Sequence, residues 1–191
     1  MDVGSEGEGG VPVLRGSSVL LRRVEERDMR DRLASGHDAE AVRMYGGDYH
    51  TLESFTVEDA ERWYQFQLRR PYSWVMEVAG HCVGGIRLDN VNLRERRASL
   101  AIGIHHAGMR GQGIGTEASR LVLRYAFDEL RLHRVSLRVL EYNHRGIAAY
   151  EKCGFVREGV ERETVFLDGA WHGDVMMGVL EHEYRAVAES W

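Results

Sequence analysis

The feature that most constrains this chain is a glycine-rich turn between a strand-like segment and a helix-like segment. Glycines occupy every second position from Gly111 to Gly115. Residues 97–104 before the turn have strand-like composition, and residues 115–130 after it place apolar side chains on one side of a helix. Glycine lets backbone N–H groups turn inward without a Cβ in the way, and the helix directs its positive N-terminal end to the same point. The turn therefore predicts an anion site suited to a pyrophosphate.

Two common phosphate-binding motifs fit this turn poorly. A Walker A loop ends in Gly-Lys-Ser/Thr, whereas Ile114 and Gly115 follow Gly113 here. The dinucleotide fingerprint G-x-G-x-x-A is met by Gly113, Gly115 and Ala118. However, the loop before the glycines is too long for the tight first turn of that fold, and too few residues follow for its remaining repeats. A nucleotide-dependent oxidoreductase is therefore kept only as an alternative.

The periodicity of the rest of the chain predicts an α/β (α+β) domain. Strand-like composition or alternation occurs at residues 18–24, 72–79, 82–88, 97–104, 134–140, 155–160 and 175–180. Helical spacing occurs at residues 25–35, 56–67, 115–130 and 143–153, the second with a capping-box-like start at Thr56 and Asp59. The strands from residue 72 to 104 are joined by segments too short for a parallel crossover, so they predict an antiparallel meander with turns at 79–81 and 89–90. The element order predicts a mixed central sheet of about seven strands with helices on both faces.

Length, charge and cysteine content limit what this domain can do. A chain of 191 residues can form one domain with a core, predicted at residues 13–185 between a disordered tail at 1–12 and a C-terminal tail at 186–191. The net charge of −5 argues against general nucleic-acid binding. No apolar run is long enough to cross a membrane, and the start lacks the features of a signal peptide, so we expect a cytoplasmic protein. Cys82 and Cys153 have no partners at metal-ligand spacing, so no metal site is expected.

Two segments carry a resemblance to a known family. Residues 110–115 read Arg-Gly-Gln-Gly-Ile-Gly, and residues 143–155 read Asn-His-Arg-Gly-Ile-Ala-Ala-Tyr-Glu-Lys-Cys-Gly-Phe. The first matches the loop Arg/Gln-x-x-Gly-x-Gly/Ala, and the second is similar to the helix N-x-R-A-x-x-x-Y-E-K-x-G-F, both motifs of the GNAT superfamily of acyl-CoA N-acyltransferases. Residues 158–163 and 168–172 resemble the closing hairpin of the ribosomal-protein N-terminal acetyltransferase (RimJ/RimL-like) branch. The resemblance spans residues 14–180 and is specific from residue 97 onward.

The resemblance implies acetyl-CoA as the cosubstrate, bound where the sheet splays between its fourth and fifth strands. These strands correspond to residues 97–104 and 134–140. Backbone groups of Ile102 and Ile104 are implied to pair with the pantetheine amides, and one N–H of this stretch to polarise the thioester carbonyl. Asn143 is implied to hold the pantetheine arm while it caps its own helix. The pyrophosphate is implied to bind the backbone N–H groups of Arg110, Gly111, Gln112, Gly113, Ile114, Gly115 and Thr116.

The chemistry that the resemblance implies is direct attack of a neutral amine on the thioester. Tyr150 matches the family's tyrosine and is implied to act as the general acid for the leaving thiolate. Cys153 lies at a helix end with no nucleophile-type partners in the sequence pattern, so an acetyl-cysteine intermediate is not expected.

The proton acceptor is left open by the sequence. An alkylamine with a pKa near ~10 must lose a proton before it attacks. Many relatives carry a glutamate on the fourth strand where this chain has Ser99, and serine is no base at neutral pH. Water could relay the proton to a more distant acid, or Asp89 or Glu53 could accept it. His105 and His106 are weaker candidates.

The acceptor amine is also left open. It is expected to bind at residues 29–70 and at the final hairpin. The first region contains acids that favour a cationic acceptor, among them Asp38, Glu40, Asp48, Glu53, Glu58 and Asp59, and arginines that oppose it, among them Arg43, Arg62, Arg69 and Arg70. The branch resemblance favours a protein N-terminal amine, and a polyamine, aminoglycoside or amino sugar remains open. The loss of the strand-four glutamate keeps a non-catalytic acyl-CoA-binding module as an alternative, and a homodimer is expected from relatives.

Overall fold

The computed structural model describes residues 11–189 and 191. Most of the predicted N-terminal tail therefore lies outside the described residues. Within this range eight strands form one sheet: β1 Leu14–Arg15, β2 Leu20–Arg22, β3 Ser73–Val78, β4 His81–Asn92, β5 Arg97–Ile104, β6 Arg134–Leu140, β7 Val156–Leu167 and β8 Ala170–Leu180. Six α-helices accompany them: α1 Asp28–Ser35, α2 Ala39–Met44, α3 Val57–Leu68, α4 Ile114–Arg124, α5 His144–Glu151 and α6 Glu181–Ala188. The predicted mixed α/β architecture is confirmed.

The sheet has the spatial order β1-β2-β3-β4-β5-β6-β8-β7. The run from β2 to β5 is antiparallel throughout, which confirms the predicted meander. Strands β5 and β6 are parallel neighbours, and the crossover between them contains α4. This crossover brings the start of α4 to the end of β5, where the glycine-rich turn lies.

The parallel pair opens soon after it begins. Strands β5 and β6 pair only at residues 97–99 with 134–136, and they diverge from Leu100 and Leu137 onward. A strand edge without a neighbour leaves backbone N–H and C=O groups unpaired. The predicted splay is confirmed, and it is the architectural origin of the site described below.

The core explains why α4 holds its position against the sheet. Its buried face contains Ile114, Ala118, Val122 and Leu123, each at most 4% exposed. Apolar residues at this spacing form one side of an amphipathic helix, and burying them fixes the N-terminal end of α4 beside β5.

Helix α3 begins as predicted. The Thr56 side chain accepts a hydrogen bond from the Asp59 amide, and the Asp59 carboxylate accepts one from the Thr56 amide at 2.8 Å. Reciprocal bonds of this kind satisfy two amides that the helix itself leaves unpaired.

Four elements differ clearly from their predicted bounds. The Asp89–Asn90 pair does not end the strand, because β4 continues to Asn92 with a register shift after Asp89, and Asn90 has φ of 54°. Asparagine tolerates this left-handed backbone, so the residues that predicted a turn form a β-bulge within the strand instead. The predicted helix at 115–130 is α-helical only to Arg124 and continues as a π-helical turn at Tyr125–Glu129. The last two strands extend well beyond the predicted 155–160 and 175–180 and form a hairpin.

Two helices were not predicted. Helix α2 lies in a region interpreted as irregular, where the Asp38 side chain accepts a hydrogen bond from the Ala41 amide at 2.7 Å and so caps it. Helix α6 runs into the segment interpreted as a C-terminal tail, and its Tyr184 is buried against Phe127. Both helices are short, so contacts with the rest of the fold stabilise them, and their sequences show no periodic pattern long enough to predict a helix.

Candidate active site

The gap between β5 and β6 opens into a cavity of about 520 Å³. The end of β5, the glycine-rich turn, the end of β6 and one side of α5 form its walls. The predicted site residues that line it are Ile102, Ile104, Arg110, Gly111, Gly113, Gly115, Thr116, Asn143 and Tyr150. Gln112 and Ile114 do not line it, because the Gln112 side chain donates to the Gly108 carbonyl at 2.5 Å and the Ile114 side chain is in the core.

The glycine-rich turn presents a run of unpaired amides to this cavity. Gly111 and Gly113 have φ of 75° and 83°, a left-handed conformation that favours glycine. Gly113 precedes α4 and offers no side chain to cap it. Within the described residues, the first amide after the turn with a backbone acceptor is that of Glu117, which donates to the Gly113 carbonyl at 2.9 Å. The amides between residues 111 and 116 are thus available to an anion.

Arg110 lies beside these amides with one nitrogen unused. Its side chain is only 9% exposed, and Nη1 pairs with Asp38 at 2.7 Å and with Glu40 at 3.3 Å. Its Nε donates to the Ile104 carbonyl at 3.1 Å. Its Nη2 is buried and has no hydrogen-bond partner among the described residues. A buried N–H without an acceptor is costly, so this atom indicates a place for a ligand oxygen.

The open edge of β5 is covered by two side chains. The Tyr45 hydroxyl donates to the Ile102 carbonyl at 2.5 Å, and Arg110 donates to the Ile104 carbonyl. Because a residue in an antiparallel strand points its N–H and C=O to the same side, the amides of Ile102 and Ile104 also face the gap. Although 65% of Tyr45 is exposed, its hydroxyl lies against Gly103, and burial there raises its pKa.

Helix α5 contributes an amide side chain and a phenol. The Asn143 Oδ1 accepts a hydrogen bond from the Gly146 amide at 2.9 Å, which confirms its predicted capping role. The Tyr150 ring packs edge-on against Phe155, and no group in the described part of the chain hydrogen-bonds its hydroxyl. Burial raises the pKa of Tyr150 well above its usual range, so the hydroxyl stays protonated and can only donate or accept as a neutral group.

The acids considered as proton acceptors lie away from this cavity. Asp89 is held by Arg87 at 2.7 Å and by Arg70 at 3.7 Å, and it does not line the gap. Glu53 is exposed in the loop before α3. The surroundings of His105 lower its pKa to about 3, mainly through burial and then through the nearby Arg32, so the imidazole is neutral and a very weak base.

A carboxylate that sequence reasoning missed does line the cavity. Asp174 of β8 has a side chain only 7% exposed, and Arg138 Nη1 is its nearest cation at 3.6 Å. The register pairs Ser99 of β5 with Ser136 of β6, and Leu140 of β6 with Asp174 of β8. Ser136 and Leu140 are four residues apart in β6, so their side chains share a face of the sheet. Asp174 therefore lies on the same face of the sheet as Ser99. The one available signal was an acid beside the otherwise apolar run 175–180.

Cys153 is unsuited to nucleophilic chemistry. It is fully buried, its thiol approaches the Thr116 carbonyl at 3.5 Å, and burial raises its pKa to about 11. A protonated thiol is a poor nucleophile, which opposes an acetyl-cysteine route.

Residues 11–189 and 191 contain neither a membrane-spanning helix nor a metal-binding cluster. None of the helices there combines the length and apolarity that a membrane crossing requires. No group of three or more His, Cys, Asp or Glu side chains in that range is placed to bind a metal ion.

Known proteins with similar sequence and structure are acetyltransferases. The acetyltransferase (GNAT) domain family matches residues 18–156. Spermidine N(1)-acetyltransferase of Escherichia coli (strain K12) is 28% identical over 169 residues, covering 88% of this chain and 89% of that protein. A Bacillus subtilis (strain 168) protein provisionally named ribosomal N-acetyltransferase YdaF is 33% identical over 106 residues, covering 56% of this chain and 57% of that protein. The structure of Vibrio cholerae spermidine N-acetyltransferase in complex with CoA and spermine gives a TM-score of 0.73 at 25% identity, covering 89% of this chain and 99% of that one.

Proposed function

This chain belongs to the acetyltransferase (GNAT) domain family and is an acetyl-CoA-dependent acetyltransferase, and from that premise we propose that it acetylates a primary amine by direct attack. The observation that carries the proposal is the cavity in the gap between β5 and β6. Unpaired amides, a buried unpaired arginine N–H and a protonated tyrosine all meet there. The roles of the individual residues belong to the same proposal.

The cradle suits the phosphate end of acetyl-CoA. The amides of residues 111–116 and the N-terminal end of α4 offer positive partial charge to a pyrophosphate. The Arg110 Nη2 atom adds a charge-assisted donor, although Asp38 and Glu40 already offset much of its charge. Acetyl-CoA supplies the acetyl group in activated form, as a thioester, and every other role falls to the protein.

The edge of β5 suits the pantetheine arm. The amides of Ile102 and Ile104 face the gap, and Asn143 lines its opposite wall. For the arm to pair with the Ile102 carbonyl, Tyr45 has to release it. An N–H of the same edge then polarises the thioester carbonyl.

The proton transfers need one donor and one acceptor. Tyr150, held neutral by burial, donates its proton to the departing sulfur and regains one from the second proton that the nitrogen loses as the amide forms. Asp174 accepts the proton of the incoming ammonium, directly or through water, because it is the carboxylate of β8 that faces the cavity on the side of Ser99. This assignment replaces Asp89 and Glu53, which lie outside the cavity.

Replacing Asp174 with asparagine tests the proton acceptor. We expect kcat/KM to fall about a hundredfold near neutral pH, since general-base catalysis typically contributes at least that much. The deficit should shrink as pH rises toward ~10, because the amine then loses its proton to solvent. Initial rates from pH 6 to 10 measure it, and Asp89→Asn is the matched control that should leave the profile unchanged. A constant deficit across that range would contradict a proton-accepting role.

Two classes of amine are candidates for the acceptor. A small amine is supported by the relatives named for spermidine, and a protein N-terminal amine by the relative named for ribosomal acetylation and by the hairpin resemblance. The direct test is release of free thiol from acetyl-CoA across a panel of peptides, polyamines, aminoglycosides and amino sugars. Release with one class above the hydrolysis background supports an enzyme, whereas CoA binding without release for any amine would favour the non-catalytic binding module.

A further inference from the structure

A second cavity, of about 370 Å³, adjoins the first on the acceptor side of the sheet. It lies between α1, α2 and α3 on one side and β4 and β5 on the other. Ala41, Tyr45, Gly103 and Ile104 line both cavities, so the two meet at the open edge of β5. A molecule in the second cavity can therefore extend an end group toward the gap where the thioester is proposed to lie.

The second cavity contains a cation without a counterion. The Arg32 guanidinium lies 3.7 Å above the Phe55 ring, and its Nη1 donates to the Gly36 carbonyl at 2.6 Å. It forms no ion pair with any Asp or Glu of the described residues, and burial lowers its pKa. The carboxylate whose charge acts on the pKa of Arg32 is that of Asp59, which pairs with Arg62. A partly buried cation in this setting attracts an anion.

The other charged groups of the cavity are already paired. Asp38 is the carboxylate that lines it, and Arg110 holds that carboxylate at 2.7 Å. Arg87 donates to Asp89 at 2.7 Å. The net uncompensated charge of the lining is therefore the positive charge of Arg32.

Four of the acids that favoured a cationic acceptor in the sequence are used elsewhere. Asp38 caps α2, and Glu40 pairs with Arg145 at 2.9 Å. Asp59 caps α3, and Asp48 accepts hydrogen bonds from the His50 amide and the Thr51 hydroxyl. Glu40 and Asp59 do not line the second cavity, so they cannot bind the far end of a polyamine there.

An imidazole nitrogen adds a second group in need of a partner. The Nε2 atom of His105 is buried and has no hydrogen-bond partner in residues 11–189 or 191. His105 is neutral, and its ring packs edge-on against Trp63 at 5.8 Å. In the tautomer that carries its proton on Nε2, this atom donates to an anion in the same cavity.

We propose that the acceptor is an amine whose far end carries a carboxylate, with the carboxylate bound at Arg32 and the amine directed to the gap beside Tyr45. The inference rests on the proposed function and narrows it. The aromatic lining from Trp63 and Phe66 accommodates the apolar chain between the two charged ends. An α,ω-diamine would place its second ammonium beside an unpaired guanidinium, so a polyamine is disfavoured.

Substrates matched in length distinguish an amino carboxylate from a diamine as the acceptor. A series of straight-chain ω-amino carboxylates is compared with the diamines of the same length by thiol release and by calorimetric titration of CoA-loaded protein. We expect the best carboxylate to have a kcat/KM at least about tenfold above its diamine, since a hydrogen bond to a charged group contributes that much or more. Arg32→Gln should remove this preference, and Arg32→Lys, which keeps the charge, should retain most of it.

Arg30→Gln is the control variant, because Arg30 is an exposed arginine of the same helix that lines neither cavity. It should leave the preference unchanged, and thermal unfolding verifies that each variant is folded. Equal or better use and binding of the diamines by the wild-type chain overturns the inference and leaves the proposed function standing. Binding of a carboxylate without acetylation of any probe contradicts the function instead, while binding of neither series overturns the inference.

Discussion

Replacing Gly115 with aspartate should raise the Kd for CoA at least about a hundredfold while the fold is kept. Two unit charges 4 Å apart repel by about 4 kcal/mol at an effective dielectric constant near 20, and about two thirds of that energy corresponds to a hundredfold change in Kd. A Cβ at Gly115 would meet Ile104 and Ile102 at 3.6 and 3.7 Å, which are ordinary contacts. An acid in the first turn of a helix is favoured by the helix dipole, so thermal stability should be unchanged or slightly raised.

Gly115→Asn is the control for this substitution, because asparagine has nearly the same shape and no charge. Calorimetric titration with CoA and thermal unfolding are measured for both variants. The aspartate should weaken binding much more than the asparagine does. Equal losses would mean that the new side chain obstructs the site sterically, and unchanged affinity in both would mean that no phosphate lies at the start of α4.

Replacing Tyr150 with phenylalanine should lower kcat about a thousandfold and leave the Kd for CoA nearly unchanged. General-acid catalysis typically contributes about 10²- to 10⁴-fold, and the hydroxyl has no structural hydrogen bond within the described residues to lose. Because burial raises the pKa of Tyr150, its hydroxyl keeps its proton up to and above the ordinary tyrosine pKa of about 10. The wild-type rate should therefore show no alkaline decline caused by Tyr150 below about pH 10.

Tyr125→Phe is the control, because Tyr125 packs against Trp74 and lines neither cavity. Steady-state rates and calorimetric CoA titrations are compared for the two variants. If Tyr150→Phe retains the wild-type kcat, the sulfur obtains its proton from another source and the assignment of Tyr150 is wrong.

The parts of the fold that the sequence predicts well are those with a strong local pattern. Strands β5 and β6 were predicted with the boundaries that the structure has, because apolar and polar residues alternate there between clear breaks. Strand β7 was predicted only at residues 155–160, although it extends to Leu167 and its pairing with β8 holds it in the sheet. Residues 161–163 are all exposed and charged, and alternation cannot reveal a stretch of strand that buries neither face.

Some residues of the candidate site could likewise be predicted from local sequence patterns, and others could not. The glycine-rich turn, Asn143 and Tyr150 follow from local motifs. Asp174, Tyr45 and Arg32 do not, because register and packing between distant segments bring them to the cavities. The pairing of Arg110 with Asp38 also joins segments far apart in the chain, and it neutralises an acid of the second cavity that the sequence offered to a cationic acceptor.

Family membership also decides between the alternatives considered at the start. The oxidoreductase alternative gives way to an acetyltransferase, in agreement with the antiparallel meander before the glycine-rich turn. The ribosomal-protein branch and the homodimer stay predictions. Thiol release with a defined amine tests the first, and sedimentation of the purified protein tests the second.

The central claim is that the backbone cradle at the start of α4 binds the diphosphate of CoA. A calorimetric titration with dephospho-coenzyme A and with pantetheine tests it most directly, with adenosine as the control, because the former ligand consists of pantetheine and adenosine joined by the diphosphate. The claim predicts that pantetheine binds at least about a hundredfold more weakly, as expected for the loss of several charge-assisted hydrogen bonds. Equal affinity for the two ligands, or no binding of the diphosphate-bearing one, would contradict it.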